Sequence, residues 1–249
     1  MIIIKSPREI ELMKKAGRVV ALVFEGIKDK IVPGISTQDI ADMCEDIIRK
    51  EGAYPTFLNY SGYPGAVCVS INDEIVHGIP SKKRILKDGD IVSIDVGATL
   101  NGYVGDACRT YPVGICKENA LRLVKVTEES FFEGVKYARP GAHLGDVSHA
   151  IQAYAESHGY SIVREYTGHG VGASLHEDPY IPNYGASGSG PVLKEGMCLA
   201  IEPMVCEGHF AVRVLGDGWT AKTRDGKLSS HYENSIVITK DGYEILTKI

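Results

Sequence analysis

Apolar side chains recur every three or four residues between positions 10 and 23, which is the period of a helix with one buried face. Ser6 is a suitable N-cap and Pro7 suits the first helical position. The pattern therefore predicts a helix from about Pro7 to Ile27. A second helix is predicted to begin at Thr37 and to stop at Gly52, and strand-like segments follow to about residue 115.

The chain then repeats this pattern at an offset of 107 positions. The matched segments are Pro33-Gly34 with Pro140-Gly141, Asp39-Ile40 with Asp146-Val147, Gly52 with Gly159, and Leu86 to Gly89 with Leu193 to Gly196. The same offset carries an apolar strand onto residues 198–201 and sets Asp95 onto Glu202. Accidental similarity of two amphipathic helices is the alternative explanation, but several matches at one offset favour a repeat.

The repeat predicts a single domain over residues 1–249, with two copies of one helix, helix, sheet unit at roughly 7–115 and 119–245. Two such copies belong to the α/β (α+β) class and are related by a pseudo-twofold axis. Acidic residues at equivalent strand positions would then approach a centre shared by both halves.

Composition narrows the range of functions. The chain has 44% apolar and 24% charged residues, which is ordinary for a folded domain. Net charge is only -5 and the basic residues are scattered, so neither a nucleic-acid partner nor a membrane surface is predicted. The six cysteines form no CxxC pair, which favours free thiols in a reducing compartment. The apolar start is too short for a signal or a membrane span, so we predict a cytoplasmic protein.

A hairpin is predicted around the first pair of acidic residues, Asp95 and Asp106. A turn centred on residues 100 and 101 would place the two directly opposite each other, whereas a turn centred on residues 101 and 102 would shift that register. Two ionised aspartates that face each other repel unless a cation or a shared proton lies between them. Asp106 alone is also explicable as a solvent-facing turn residue. Asp95 is not, because it interrupts an apolar strand where burial of a charge is costly.

The second half of the chain supplies Glu202 and Glu233, both at strand ends, and His169 between glycines that allow close backbone approach. His77 and His176 lie among turn formers and are also functional candidates. We interpret His143, His149, His158 and His209 as structural residues. Four carboxylates and one imidazole form an oxygen-rich ligand set that suits manganese, ferrous iron, cobalt or zinc. Paired ions of this kind polarise carbonyls and activate water, which is the chemistry of metal-assisted hydrolysis.

The chain resembles the methionine aminopeptidases over nearly its whole length, in the order, spacing and context of five motifs. These motifs are DVGA with Asp95, GDACRTYPVG with Asp106, TGHGVG with His169, IEPM with Glu202 and HYENSI with Glu233. The resemblance implies the pseudo-twofold "pita-bread" fold, with a central antiparallel sheet, helices on its outer face and an active site between the halves.

The resemblance also implies residue roles. Asp95 and the bridging acids Asp106 and Glu233 would hold one metal, and His169, Glu202 and the same bridges would hold the other. Glu202 would carry the proton. His176 would stabilise the tetrahedral oxyanion and His77 would contact the substrate near its amino end.

By the same resemblance, the methionine pocket would be lined by Tyr60, Tyr63, Cys68 and Trp219. Phe57 and Leu175 stand where bacterial relatives often carry Cys and Phe. The spacing of 33 positions between His169 and Glu202 leaves no room for the helical insertion of the second type, so the chain resembles the short bacterial type I form.

The function that the resemblance implies is removal of the N-terminal methionine from nascent proteins with a small second residue, near the ribosome, by a monomer. Composition adds that no nucleic-acid or membrane partner is expected. One alternative is an X-Pro aminopeptidase or prolidase, although such enzymes usually carry an additional N-terminal domain. A second is a binding module that kept the fold and lost catalysis. Such modules typically lose ligands, whereas all five are present here.

Overall fold

The computed structural model describes all 249 residues and contains four α-helices in two consecutive pairs. Their bounds are α1 Pro7–Ile27, α2 Thr37–Lys50, α3 Glu118–Val135 and α4 Leu144–Ser157. The predicted start of α1 is confirmed by a capping box, in which Ser6 accepts a hydrogen bond from the backbone of Glu9 while the Glu9 carboxylate accepts from the backbone of Ser6. None of the four helices combines the length and the apolar character needed to span a bilayer.

Fifteen short strands account for most of the remaining structure. In the first half they are β1 Tyr54–Pro55, β2 Cys68–Ile71, β3 Glu74–Val76, β4 Ile91–Leu100 and β5 Tyr103–Pro112. In the second half they are β6 Ser161–Ile162, β7 Gly168–Gly170, β8 Glu177–Ile181, β9 Cys198–Ile201, β10 Met204–Cys206, β11 Val212–Val214, β12 Ala221–Thr223, β13 Ser229–His231, β14 Asn234–Thr239 and β15 Gly242–Ile245.

Antiparallel pairing arranges these strands into two main sheets and two small ones. In the first half β4 pairs with β1, β2 and β5, and in the second half the order is β15-β14-β9-β7-β8. The small sheets have the orders β13-β10-β6 and β11-β12-β3, so a strand of the first half pairs with the second half.

The two main sheets are joined at the middle of the molecule by backbone pairing between β5 and the segment that leads into β14. The backbone N–H of Glu233 donates to the carbonyl of Cys108 at 3.0 Å, and the N–H of Cys108 donates back to the carbonyl of Glu233 at 3.4 Å. One step along, the Ser235 hydroxyl donates to the carbonyl of Asp106 and accepts from its N–H. The two halves thus present one continuous surface of strands.

Two features of the structure recur at the offset of 107 positions that the sequence pattern gave. An offset of 107 positions carries both bounds of α2 onto those of α4. It also carries the isolated bridge between Ser36 and Ile85 onto the one between His143 and Val192. Each half therefore docks its second helix against the loop before its main strand in the same way.

Strand alternation separates the apolar core from the polar face. On β4, Val92, Ile94 and Val96 point to the helices of the first half and are fully buried, while Asp95 between them points to the opposite face. On β9, Leu199 and Ile201 pack with the helices of the second half. Helices therefore cover one side of the strands, and the predicted ligands share the other.

The hairpin register differs from the one that would place Asp95 opposite Asp106. Asp106 pairs with Gly97 and Asp95 pairs with Cys108, because the turn is centred on Asn101 and Gly102. Both turn residues have positive φ values, 52° and 79°, as a two-residue hairpin with a right-handed twist requires. The two aspartates are consequently diagonal neighbours on one face and not a directly opposed pair.

The packing of α1 on β5 depends on glycine at position 105. A Cβ atom there would lie 2.6 Å from both Cα and N of Gly17 in α1. We expect Gly105→Ala to lower the free energy of unfolding by about 1–3 kcal/mol, because the helix must move away from the sheet. Gly216→Ala is the matched control, since a Cβ at Gly216 has open space around it. Urea unfolding measures both variants, and equal stabilities would contradict the expectation.

Candidate metal centre

A row of side chains crosses the strands on the face away from the helices. Asp95 pairs with Cys68 on one side and with Cys108 on the other, and Cys108 in turn pairs with Glu233. Glu202 continues the row. The residue pairs on either side of it have the same register, and this register places Glu202 opposite Glu233. Those flanking pairs are Ile201 with Asn234 and Met204 with His231. Three of the five predicted ligands therefore belong to a single row.

The adjacent row supplies the other two ligands. Asp106 lies between Gly97 and Ser235, Ser235 pairs with Ala200, and Ala200 pairs with His169. Residues of neighbouring rows, two positions apart on a strand, point to the same face. The structure thus brings all five predicted metal ligands together, three from the second half and two from the first.

The distances within the cluster are those of a ligand set. His169 Nε2 lies 3.6 Å from Asp106 Oδ2 and 3.5 Å from Glu202 Oε1. One ligand atom each from Asp106, His169 and Glu233 lie within 4.8 Å of one another. His169 Nδ1 donates to the carbonyl of Gly170 at 2.9 Å, which leaves the Nε2 lone pair directed at the carboxylates.

Several buried oxygens of the cluster have no hydrogen-bond partner in the protein. They are Asp95 Oδ1, Asp106 Oδ1 and Glu233 Oε1. Unpaired buried carboxylate oxygens are costly, so a native structure that contains three of them together calls for a bound cation or shared protons.

Burial acts on the carboxylates and on the histidines in opposite senses. It raises the pKa of Asp95 from 3.8 to about 7, and it raises the pKa values of Asp106, Glu202 and Glu233 well above their usual range. It lowers the pKa of His169 from 6.5 to about 3. Without a cation the acids retain protons, whereas the imidazole is already in the neutral form that a metal requires.

The donor set therefore fits divalent metal ions. Carboxylate oxygens and one neutral imidazole nitrogen, clustered and free of competing hydrogen bonds, are the donors that manganese, ferrous iron, cobalt and zinc accept. Arg109 is the basic side chain behind the cluster, and its guanidinium donates to the backbone carbonyls of Cys108 and Glu233. These hydrogen bonds hold the backbone segment that carries Glu233, and they leave its carboxylate free.

The two further predicted histidines stand at the edge of the cluster. The ring of His176 lies 4.3 Å from the ring of His169, and its Nδ1 is 2.8 Å from the hydroxyl of Tyr60. His77 has a left-handed backbone with φ of 60°, which is unusual for a residue with a side chain and is typical of functional loops. Its ring contacts Trp219 edge-on at 6.3 Å.

All predicted site residues border one cavity of about 720 Å³. Its walls contain the five ligands and the side chains of Phe57, Tyr60, Tyr63, Cys68, His77, Leu175, His176 and Trp219. The Tyr63 hydroxyl donates to the carbonyl of Gly78 at 3.0 Å, so the phenol is held in place while its ring packs on Trp219 at 5.2 Å. The result is a partly open recess beside the carboxylates, with both aromatic and polar walls.

His231 also lines this cavity, although no sequence motif marked it as a site residue. It is buried, its Nε2 has no hydrogen-bond partner, and that atom lies 3.6 Å from Glu202 Oε2. The available signal was its position two residues before Glu233, because such neighbours share a face in extended chain. Tyr166 is a second such residue, with its ring 5.4 Å from that of His77.

Four carboxylates and a histidine on a pseudo-symmetric strand surface, beside a substrate-sized cavity, are typical of metal-dependent hydrolases of the pita-bread class. A model of metallopeptidase family M24 matches residues 11–240. The chain belongs to this family.

Individual relatives agree with the family match. Methionine aminopeptidase 1 of Bacillus subtilis is 54% identical over the full length of both chains, and a methionine aminopeptidase of Clostridium acetobutylicum is 51% identical over 99% of each. The crystal structure of a methionine aminopeptidase from Thermotoga maritima superposes with a TM-score of 0.99 at 52% identity and covers both chains fully. A prolidase from Pyrococcus furiosus has a TM-score of 0.79 at 26% identity, and the match covers 99% of this chain but 66% of the prolidase.

The metal centre generates a prediction about pH. In metal-free protein the acids with raised pKa stabilise the fold at low pH and lose this contribution as pH rises through their folded values, about 7 for Asp95. The histidines act oppositely, since the lowered pKa of His169 costs stability below 6.5. As pH rises from 6.5 through about 7, where the histidines no longer titrate, we therefore expect the metal-free melting temperature to fall.

Added manganese should reverse this fall, and its stabilising effect should grow with pH because it replaces protons on the carboxylates. Scanning calorimetry of chelator-treated protein with and without manganese measures the effect, and Asp106→Asn is the variant that should lose most of it. A metal-free melting temperature that rises over this pH interval would show that the carboxylates do not titrate as a buried cluster.

Proposed function

We propose that this chain removes the N-terminal methionine from peptides and nascent proteins whose second residue is small. The observation that carries the proposal is the recess beside the metal centre, which is lined by Tyr63, Cys68 and Trp219. Aromatic and sulfur-containing walls offer the polarizable contacts that a thioether prefers. Full-length identity to bacterial methionine aminopeptidases supports the same substrate.

We infer that Asp95, Asp106, His169, Glu202 and Glu233 hold two divalent ions, drawn from cobalt, manganese, ferrous iron or zinc. When bound, such ions polarise the scissile carbonyl and make water a stronger nucleophile at neutral pH. The raised pKa values of the acids favour release of protons only when a cation replaces them, so ion binding and deprotonation are coupled.

The side chains around the centre then have separate tasks. Glu202 accepts the proton of the attacking water and passes it to the departing amine, since its carboxylate borders both His169 and the cavity. We assign the Tyr60 hydroxyl as the donor to His176 Nδ1, 2.8 Å away, which leaves His176 Nε2–H to donate to the carbonyl oxygen as negative charge develops. His77 stands on the far wall with Trp219 and contacts the substrate.

A prolidase-like activity is the second candidate, because prolidases share the fold at a TM-score of 0.79. Identity separates the two, at 26% for that prolidase and 52% for the Thermotoga maritima methionine aminopeptidase. We further propose that the enzyme works as a monomer in the cytoplasm on chains emerging from the ribosome. Six unpaired cysteines are consistent with a reducing compartment.

The deciding assay measures free methionine released from Met-Ala-Ser, and cleavage of Ala-Pro peptides, by chelator-stripped protein resupplied separately with manganese, cobalt, ferrous iron or zinc. We expect metal-dependent release of methionine and no cleavage before proline. Cleavage only before proline would assign the prolidase activity, and no cleavage with any metal would indicate a binding module.

Glu202→Gln tests the proton carrier. The amide keeps the volume of the side chain but cannot accept the proton, so we expect kcat to fall by at least about 10²-fold while the fold is retained. Glu195→Gln changes an exposed glutamate and serves as the control. Near-normal turnover in the Glu202 variant would refute its catalytic role.

His176→Ala tests oxyanion stabilisation. Loss of one donor that acts on developing charge should lower kcat by about 10²-fold and change KM little. His149→Ala removes an exposed histidine of α4 and should be neutral. If only KM changes, His176 binds substrate and transition state equally and has no special role in the chemical step.

A further inference from the structure

The residues before α1 form an arm that lies against the second half of the chain. Ile4 bridges to Met197, and the backbone N–H of Lys5 donates to the carbonyl of Gly196 at 2.8 Å. A Cβ at Gly196 would lie 2.8 Å from both the Ile4 side chain and the Lys5 carbonyl, so the arm approaches this backbone as closely as glycine allows. The arm thereby brings a lysine from the start of the chain beside the loop that contains His176.

Lys5 and Glu177 form a buried ion pair at this contact. Lys5 Nζ lies 2.5 Å from Glu177 Oε2, and the two side chains are only 3% and 8% exposed. The second carboxylate oxygen of Glu177 accepts from the backbone N–H of Ser174 at 3.2 Å, and Lys5 Nζ also donates to the carbonyl of Ile3. Both charges are therefore compensated by partners from within the arm and the loop.

The pair is packed against the loop over residues 171–177. A Cβ at Gly172 would lie 2.5 Å from Glu177 Oε1 and 2.5 Å from Lys5 Cε, so the loop closes around the two charges. The carbonyl of Gly172 accepts from the N–H of Val104 in the first half at 2.9 Å. Glu177 directly follows His176, and the N-terminal ammonium of the chain pairs with the next residue, Asp178.

His176 is consequently held from two directions. Its ring is oriented by Tyr60 of the first half, while its backbone is attached to a residue whose side chain is anchored by the arm. A shift of the loop would move the imidazole relative to His169, 4.3 Å away, and a misplacement of this kind reduces rate much more than affinity.

We propose that Lys5 is a positioning residue, which acts through its buried ion pair with Glu177 to hold His176 in place for the reaction. The kinetic part of this inference rests on the proposed aminopeptidase function. The opposing interpretation is that the pair only attaches the arm to the rest of the protein. Removal of Lys5 would then lower stability without a selective effect on the loop or on turnover.

The first test compares Lys5→Met with Lys14→Met, a half-exposed lysine that pairs with Glu244 on the surface. Hydrogen–deuterium exchange is measured at a temperature where both variants are folded. We expect faster exchange of the amides of residues 171–178 in the Lys5 variant alone, whether or not the protein has enzymatic activity. Unchanged exchange in this segment, or an increase spread evenly over the whole chain, would overturn the proposal.

The second test is a double-mutant cycle with manganese-loaded protein and Met-Ala-Ser. We expect Lys5→Met to lower kcat about tenfold with KM nearly unchanged, and Glu177→Gln to have a similar effect. Because Lys5 acts through His176, the same substitution in a His176→Ala background should lower kcat less than about twofold. Equal factors in the two backgrounds would overturn the inference.

Absence of activity in the unsubstituted protein has a separate meaning. It would reject the proposed function, whereas the exchange comparison would still decide whether Lys5 and Glu177 order the loop. The failures of the two proposals are thus distinguishable.

Discussion

The concentration of four carboxylates on one face of the strands is the constraint on which the rest of the structure depends. Buried like charges repel, and burial raises the pKa of every acid in the cluster. Such an arrangement persists only where the surrounding fold is stable enough to hold it. The helices provide that stability from the opposite side, by burying the alternate residues of β4 and β9 in two large apolar cores.

The backbone pairing of Cys108 with Glu233 converts two half-structures into one site. Asp95 and Asp106 belong to the hairpin of the first half, whereas His169, Glu202 and Glu233 belong to the second half, and the rows of side chains are continuous only across this junction. Neither half alone contains the full ligand set. The pseudo-twofold arrangement thus places the centre where the two halves meet. Strand residues of both halves can reach this position.

The proposed substrate selection depends on loops, and not on the helices and strands that the two halves share. The recess is walled by loops from both halves, including the left-handed turn at His77 and the loop that carries Trp219, which is capped by hydrogen bonds to Asp217. The same is true of His176, whose loop is held by Tyr60 and, through Glu177, by the N-terminal arm. The strands bring the candidate ligands together, and in the proposed function the loops add the groups that recognise and orient a peptide.

Local pattern in the sequence was sufficient to predict α1, α2 and the acids of the cluster, and it indicated the repeat. Helix caps, the apolar period and a charge within an apolar strand are all properties of neighbouring residues, so they can be seen without the fold. The hairpin register required one more local rule, the preference of Asn101-Gly102 for the turn. A turn centred on residues 100 and 101 would pair Asp95 with Asp106, whereas in the structure Asp95 pairs with Cys108, two residues further on. Tertiary structure alone determined the junction at Cys108, the place of His231 beside Glu202, and the contact of Lys5 with Glu177, 172 positions away along the chain. These contacts join residues that are distant in sequence, and only the packing of the two halves brings their side chains within reach.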